Sequence, residues 1–193
     1  MEVGYEEVVF LTKDDTEKSV WSNEIFVDTP ENIKKLEARG FVFAIGIGEP
    51  KIRKIVAEKN PTLTYPNIIH PAATFGSYQY DEIANSKGII ITAGCRITNN
   101  IFFGDFVFVN VNTTIGHDCI IEDFVSFMTS ATISGNVHIK EAAYIGCNAS
   151  IIHGQPDKKL TVGVMSTIGI GAVVIKNVKD GITVYGNPAR KLI

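Results

Sequence analysis

The stretch Val109-Asn110-Val111-Asn112-Thr113-Thr114-Ile115-Gly116-His117-Asp118-Cys119-Ile120-Ile121 places Val109, Ile115 and Ile121 six residues apart. Read outward, the same register takes in Ile91, Ile97 and Phe103 before it and Phe127, Ile133, Ile139, Ile145 and Ile151 after it. With 45% hydrophobic residues in the chain, an unbroken run of that length would arise by chance in roughly one trial in several thousand, so the repeat is real. Period six is neither helical nor simple strand alternation. Two residues before most ladder positions stands a small or β-branched residue, as at Cys95, Val107, Thr113, Cys119, Val125, Ala131, Val137, Ala143 and Ala149. One residue after, glycine recurs at Gly104, Gly116 and Gly146, where the backbone is expected to turn sharply. Large residue in the strand, small residue at the corner and glycine at the bend describe a three-sided parallel β-helix, with three hexads to a coil of about eighteen residues.

Beyond Ile151 the next register position is Val162, followed by Ile168 and Val174, so about five residues loop out near Gln155-Pro156-Asp157-Lys158-Lys159. A loop thrown from a rigid solenoid either touches a ligand or is a tolerated surface insertion. The tail Tyr185-Gly186-Asn187-Pro188-Ala189-Arg190-Lys191 ends and caps the repeat.

The first seventy residues carry a different pattern. Glu7 to Leu11 reads as a strand. Thr29 and Pro30 open a helix that runs through Arg39 to a terminal Gly40. Phe41 to Ile45 is a continuous apolar run expected to be a buried parallel strand, followed by Gly46-Ile47-Gly48, a second helix over residues 49–59 and a third strand at Asn67-Ile68-Ile69. That order predicts a small Rossmann-like α/β domain over residues 1–69, lacking its opening βα element, ahead of the β-helix at 70–193. His70-Pro71 marks the junction, and residues 72–88 read as irregular. Gly46-Ile47-Gly48 serves either as a phosphate contact or as a plain strand-to-helix turn.

A net charge of −3 with no basic stripe gives no reason to expect a nucleic-acid partner. No apolar run approaches the length of a membrane span, so no membrane partner is expected. The acidic start Met1-Glu2-Val3 is not a secretory signal, which makes the cytoplasm the expected compartment. Cys95 and Cys119 fall at inward ladder positions and read as packing residues, whereas Cys147 lies outside that pattern and could face a ligand.

Residues eighteen apart stack about one strand spacing, ~4.8 Å, above one another. His117 thus lies under Gly135, and Gly135 under His153. His117 points outward near a corner and is followed by Asp118, a carboxylate able to orient an imidazole. A His base beside a carboxylate, with a backbone N–H one coil above, is a minimum kit for acyl transfer. From spacing alone, a solvated corner histidine fits as well.

The hexads, with Asn110, Thr114-Ile115-Gly116-His117-Asp118-Cys119, Ser134-Gly135-Asn136-Val137 and the ending Gly186-Asn187-Pro188-Ala189-Arg190, resemble the left-handed β-helix (hexapeptide-repeat) acyltransferases. Within them the chain looks like the bacterial nucleotide-sugar amine N-acetyltransferases and their sialic acid O-acetyltransferase relatives. Val3-Gly4-Tyr5 to Asp15 and Ala44-Ile45-Gly46 extend the likeness to that family's N-terminal domain. The resemblance implies an acetyl-CoA-dependent homotrimer, with the donor in the groove between adjacent β-helices and no metal. His117 would be the general base, Asp118 its acidic partner and Gly135 the amide that meets the thioester carbonyl. Asn110 and Gly46 would lie on the acceptor side; Gly146, Cys147, Gly169, Gly171 and Arg190 would lie along the pantetheine and nucleotide path. The implied acceptor is a 4-amino-4,6-dideoxy sugar linked to UDP or dTDP, acetylated by direct transfer for surface glycan synthesis.

Three further readings stand beside this one. O-acetylation of sialic acid or a polysaccharide needs the same base and oxyanion donor. A zinc enzyme of the γ-carbonic-anhydrase type would need three converging histidines, but His138 lies in another column and His117 and His153 are two coils, about 9.6 Å, apart. A non-catalytic solenoid that only binds or assembles is the third.

Overall fold

In the computed structural model, residues 4–13 and 24–192 are described. Met1 to Val3 and Asp15, used above for the start of the chain and the N-terminal resemblance, lie outside them. The chain divides into two compact units, 1–43 and 44–193.

In the first unit Phe10–Thr12 pairs in parallel with Ile25–Val27. Helix α1, Pro30–Ala38, forms as the sequence predicts: the Thr29 hydroxyl accepts from the Asn32 N–H at 3.2 Å, proline occupies the first turn, and Gly40 takes φ 84° just past the end. The expected strand at Phe41 to Ile45 does not form, and Val42 is 40% exposed. Among the described residues no strand runs beside it, because Phe10–Thr12 has paired with Ile25–Val27 instead.

The expected third strand does form, at Ile68–Ile69, but it pairs with Ile90–Ile91 and is the first rung of the β-helix. Among the described residues the strand-helix-strand-helix-strand order of a Rossmann-like domain is therefore not found. Nor does the contact boundary fall at 69/70, because helix α2, Pro50–Lys59, belongs to the second unit.

Arg53 of α2 explains that allegiance. It is 1% exposed, and its guanidinium donates to the carbonyls of Phe106 (2.8 Å), Phe124 (2.7 Å) and Ile47 (2.6 Å) and to the Ser126 hydroxyl (2.8 Å). Burial pulls its pKa down to about 10, partly offset by Glu49, so it stays charged at neutral pH. The Ser126 hydroxyl passes the link on to the Gly48 carbonyl at 2.7 Å. One planar fork thus ties α2 and its leading loop to two successive coils.

The β-helix has three faces. The first runs from Ile68–Ile69 through Ile90–Ile91, Phe108–Val109, Ser126–Phe127, Tyr144–Ile145 and Thr167–Ile168 to Thr183–Tyr185, closed by antiparallel Arg190–Lys191. The second stacks Thr74–Phe75, Arg96–Ile97, Thr114–Ile115, Thr132–Ile133, Ser150–Ile151 and Val173–Val174; the third stacks Phe102–Phe103, Ile120–Ile121, Val137–Ile139 and Leu160–Val162. In the regular coils successive rungs are eighteen residues apart, as in Ile97 to Ile115 and Ile115 to Ile133, whereas the first coil, from Phe75 to Ile97, takes twenty-two. Every ladder residue from Ile91 to Ile151 is at most 3% exposed, and Cys95 and Cys119 pack among them. Ile139 pairs with Val162, which confirms the five-residue insertion, and Ile168 with Val184 shows a later coil two residues short.

Two expectations about the coils change. Residues 72–88 are not irregular: they hold the strand Thr74–Phe75 and helix α3, Gln79–Ile83, which sits where the third face would have its first strand. The sharp turns also fall elsewhere. Positive φ occurs three residues after the ladder position, at Asn100, Asn112, Asp118, Asn136 and Asn148 and even at Phe106 and Phe124. Gly116 and Gly146 have ordinary φ and are glycines because a Cβ would meet the backbone of the next coil, 2.7 Å from the Gly135 nitrogen and from the Ile168 oxygen respectively.

Arg53→Ala would leave two buried carbonyls and a hydroxyl without their donor, and is expected to cost about 3 kcal/mol in urea unfolding. A loss below about 1 kcal/mol would show that α2 is held by its apolar contacts instead.

Candidate active site

Three corners join the faces, and the corner between the second and third carries the titratable pair. After Thr114–Ile115 the chain passes Gly116 and His117, then turns at Asp118 in the left-handed region, φ 58°. Asp tolerates that conformation better than most residues, so the turn that builds the coil also fixes the carboxylate. His117 Nδ1 donates to Asp118 Oδ2 at 2.6 Å. An ionised carboxylate only accepts, so the proton lies on Nδ1 and Nε2 is left as the basic nitrogen. The imidazole is 59% exposed and open to a ligand.

Asn100, one coil below, donates from Nδ2 to the other oxygen, Asp118 Oδ1, and Lys159 donates to the Asp118 carbonyl. The hydrogen bond from His117, then that from Asn100, holds the Asp118 carboxyl below the usual carboxylate range. Neither Asn100 nor Lys159 is among the residues expected from sequence. Asn100 is legible in retrospect, because it precedes Asp118 by one coil, and Lys159 belongs to the insertion, which reaches back to this corner.

Gly135 stands one coil above. A Cβ there would lie 2.7 Å from His117 Nε2, so only glycine lets the ring sit against the backbone. The Gly135 carbonyl accepts from Gly154 N–H at 3.0 Å and Asn136 N–H donates to the His117 carbonyl at 2.9 Å, while the Gly135 N–H has no acceptor among the described residues. The ring of His117 thus lies against the backbone of Gly135, whose N–H is unspent among the described residues.

The other expected residues lie elsewhere on the chain. Asn110, Gly146, Cys147, Gly169 and Gly171 follow strands of the first face and occupy the corner between the first and second faces; Arg190 is in the exposed closing strand. The Asn110 side chain accepts from Val111 N–H at 2.8 Å. Gly169 cannot carry a Cβ, which would meet the Tyr185 ring, and Gly171 takes φ 65°. Gly46 is open on its α-carbon side, and the helix start after it is capped by Glu49, whose carboxylate accepts from Lys51 N–H at 3.5 Å. His153 is exposed. His138 bonds Glu122 at 2.6 Å on the third face. Burial pushes the Cys119 thiol up to about 11, which makes it a poor nucleophile. Among the described residues no group of three or more His, Cys, Asp or Glu side chains could hold a metal, and no helix is long and apolar enough to cross a membrane.

Because the depressed pKa of Asp118 arises from its partners, its carboxylate persists as pH falls below the ordinary carboxylate value and is lost only through the lower, folded value. The ¹³Cγ titration midpoint of Asp118 is expected to lie below that ordinary range, to rise most in His117→Ala and less in Asn100→Ala. An unchanged midpoint in both variants would show that the two hydrogen bonds are absent in solution.

No family model matches the chain. It is 38% identical over 157 residues to the GDP-perosamine N-acetyltransferase of Escherichia coli O157:H7, covering 78% of this chain and 67% of that protein. To serine acetyltransferase of Bacillus subtilis (strain 168) it is 31% identical over 120 residues, spanning about half of that protein. Its structure matches the acetyltransferase domain of PglB from Neisseria gonorrhoeae FA1090 with TM-score 0.84 at 31% identity, covering 97% of this chain and 88% of that one; the same domain has been solved in complex with acetyl coenzyme A. WeeI from Acinetobacter baumannii AYE matches with TM-score 0.77 at 28% identity, covering 95% and 85%. With its six-residue ladder, its three-sided coil and this kinship, the chain belongs to the left-handed β-helix, hexapeptide-repeat sugar N-acetyltransferases.

Proposed function

We propose that the chain transfers the acetyl group of acetyl-CoA directly to the amine of a 4-amino-4,6-dideoxy sugar linked to a nucleoside diphosphate. The observation that supports this reading is the close approach of the exposed His117 ring to the backbone of Gly135, whose N–H is unspent, on the next coil.

His117 takes the proton that the sugar amine loses as its nitrogen bonds to the thioester carbonyl carbon. The Gly135 N–H donates to the carbonyl oxygen as that oxygen gains charge. When the C–S bond breaks, His117 returns the proton to the departing sulfur, and Asp118 stabilises the imidazolium in between. Cys119 is buried and weakly acidic, which favours direct transfer over an acyl-cysteine route.

The donor-path residues Gly146, Cys147, Gly169 and Gly171 share a corner that His117 does not occupy. A site that uses both sets draws on two copies of the chain, which supports the homotrimer implied by the family. Exposed Ile152, Met165, Ile170 and Ile175 supply apolar surface for such an assembly. The name of the GDP-perosamine relative favours an amine over a hydroxyl acceptor and adds GDP to UDP and dTDP as the nucleotide to test.

Thiol release from acetyl-CoA, measured with GDP-, UDP- and dTDP-linked 4-amino-4,6-dideoxy sugars beside free sialic acid, is expected with one of the amino sugars. Thiol release with sialic acid alone would replace N- by O-acetylation. His117→Ala should lower turnover by roughly 10²–10⁴-fold with acetyl-CoA binding kept; unchanged turnover would overturn the assignment of the base. Gly135→Ala places a methyl against an exposed, movable ring, so the melting temperature should hardly change while turnover falls about 10²-fold. Full turnover in that variant would remove Gly135 from the site.

A further inference from the structure

A second feature of the catalytic corner lies below the dyad. Where the third face would have its first strand, the chain instead forms α3, and the Gln79 side chain, 1% exposed, takes over the missing ladder bonds: its Oε1 accepts from Ile101 N–H and its Nε2 donates to Ile101 O, both at 2.8 Å. Tyr80 of α3 packs edge-on against Phe75 at 5.5 Å. Anchored in this way, α3 and the corner of the next coil that leads into Phe102–Phe103 line a cleft of about 390 Å³ whose walls include Ser77, Tyr78, Glu82, Asn99, Asn100 and Phe102.

Two of those residues join the cleft to the dyad. The Asn99 carbonyl accepts from Asp118 N–H at 3.3 Å, and the Asn100 amide bonds the Asp118 carboxylate. The lining is a carboxylate, three amides of which that of Gln79 is spent on Ile101, hydroxyls, one isoleucine and two aromatic rings that are 83% (Tyr78) and 60% (Phe102) exposed. No lysine or arginine is among the described lining residues. Such a set pairs with ring hydroxyls, an amine and the C–H faces of a sugar; it offers nothing to a pyrophosphate. The volume is at the small end of the ~300–1,000 Å³ usual for small-molecule sites, which suits a single ring.

Resting on the acetyl transfer proposed above, the geometry points to this cleft as the sugar-ring subsite of the acceptor. Glu82 and Tyr78 hold the ring from one side, Phe102 gives it an apolar floor, the Asn99–Asn100 wall directs the amine toward His117, and the nucleotide stays outside.

The test uses the full-length chain with Glu82→Gln and Phe102→Ala. For the nucleotide sugar that the wild type acetylates, each variant should raise acceptor KM about tenfold, with acetyl-CoA KM unchanged and kcat within about threefold. Saturation-transfer NMR with the methyl glycoside of a 4-amino-4,6-dideoxyhexose, which has no nucleotide, should show contact with the wild type and lose it in Phe102→Ala. Unchanged acceptor KM in both variants, or no glycoside contact with the wild type, overturns the subsite. A wild type that contacts the glycoside through Phe102 yet releases no thiol with any nucleotide sugar overturns the transfer reaction and leaves the subsite standing.

Discussion

The structure depends on parallel coils resting on one another in register, with eighteen residues to each regular coil. Each strand is only two or three residues long, too short to be stable alone, and exists because the rungs above and below bond it. The inward residues of all three faces merge into one continuous core, from Ile83 to Val184. A shift of one residue in any coil would turn an isoleucine outward and a polar residue inward, so the register is specified many times over. Insertions are accommodated as segments that leave the register, as at 155–159 and at α3.

That stacking also makes the site. The corner turn requires a left-handed residue, and at position 118 the residue is an aspartate whose neighbour is His117. Coil-on-coil contact brings Asn100 beneath Asp118 and Gly135 above His117, so three hexads that are remote in sequence meet at one corner. Departures from the regular coil cluster at the same corner: α3 below, which opens a cleft, and the insertion above, whose Lys159 reaches the Asp118 carbonyl. Regular coils supply the rigid frame, and the irregular pieces are where recognition can vary.

Arg53 plays a comparable part for α2. A buried guanidinium is costly to desolvate, and here the cost is offset by carbonyl and hydroxyl acceptors on two coils and on the loop before the helix. This geometric match, rather than apolar contact alone, joins α2 and the loop before it to the β-helix.

Much of this was legible in the sequence because its signals are periodic or local. The six-residue ladder gave the three-sided coil, its break gave the insertion, and Thr29-Pro30 with Gly40 gave α1. The eighteen-residue period also set His117 under Gly135. Other features depended on partners that no local pattern names. Phe41 to Ile45 reads as a buried strand, but an apolar run becomes a strand only if another lies alongside, and none does among the described residues. Ile68–Ile69 joined the β-helix because Ile90–Ile91 offered it an edge. The roles of Arg53, Asn100, Lys159 and the cleft at α3 were decided by tertiary structure, because each rests on hydrogen bonds or enclosure between segments distant along the chain. Sequence by itself determined the repeat and the stacking of His117 under Gly135; only the folded chain decided which distant groups complete that corner, since period fixes stacking while side-chain reach and irregular loops do not repeat.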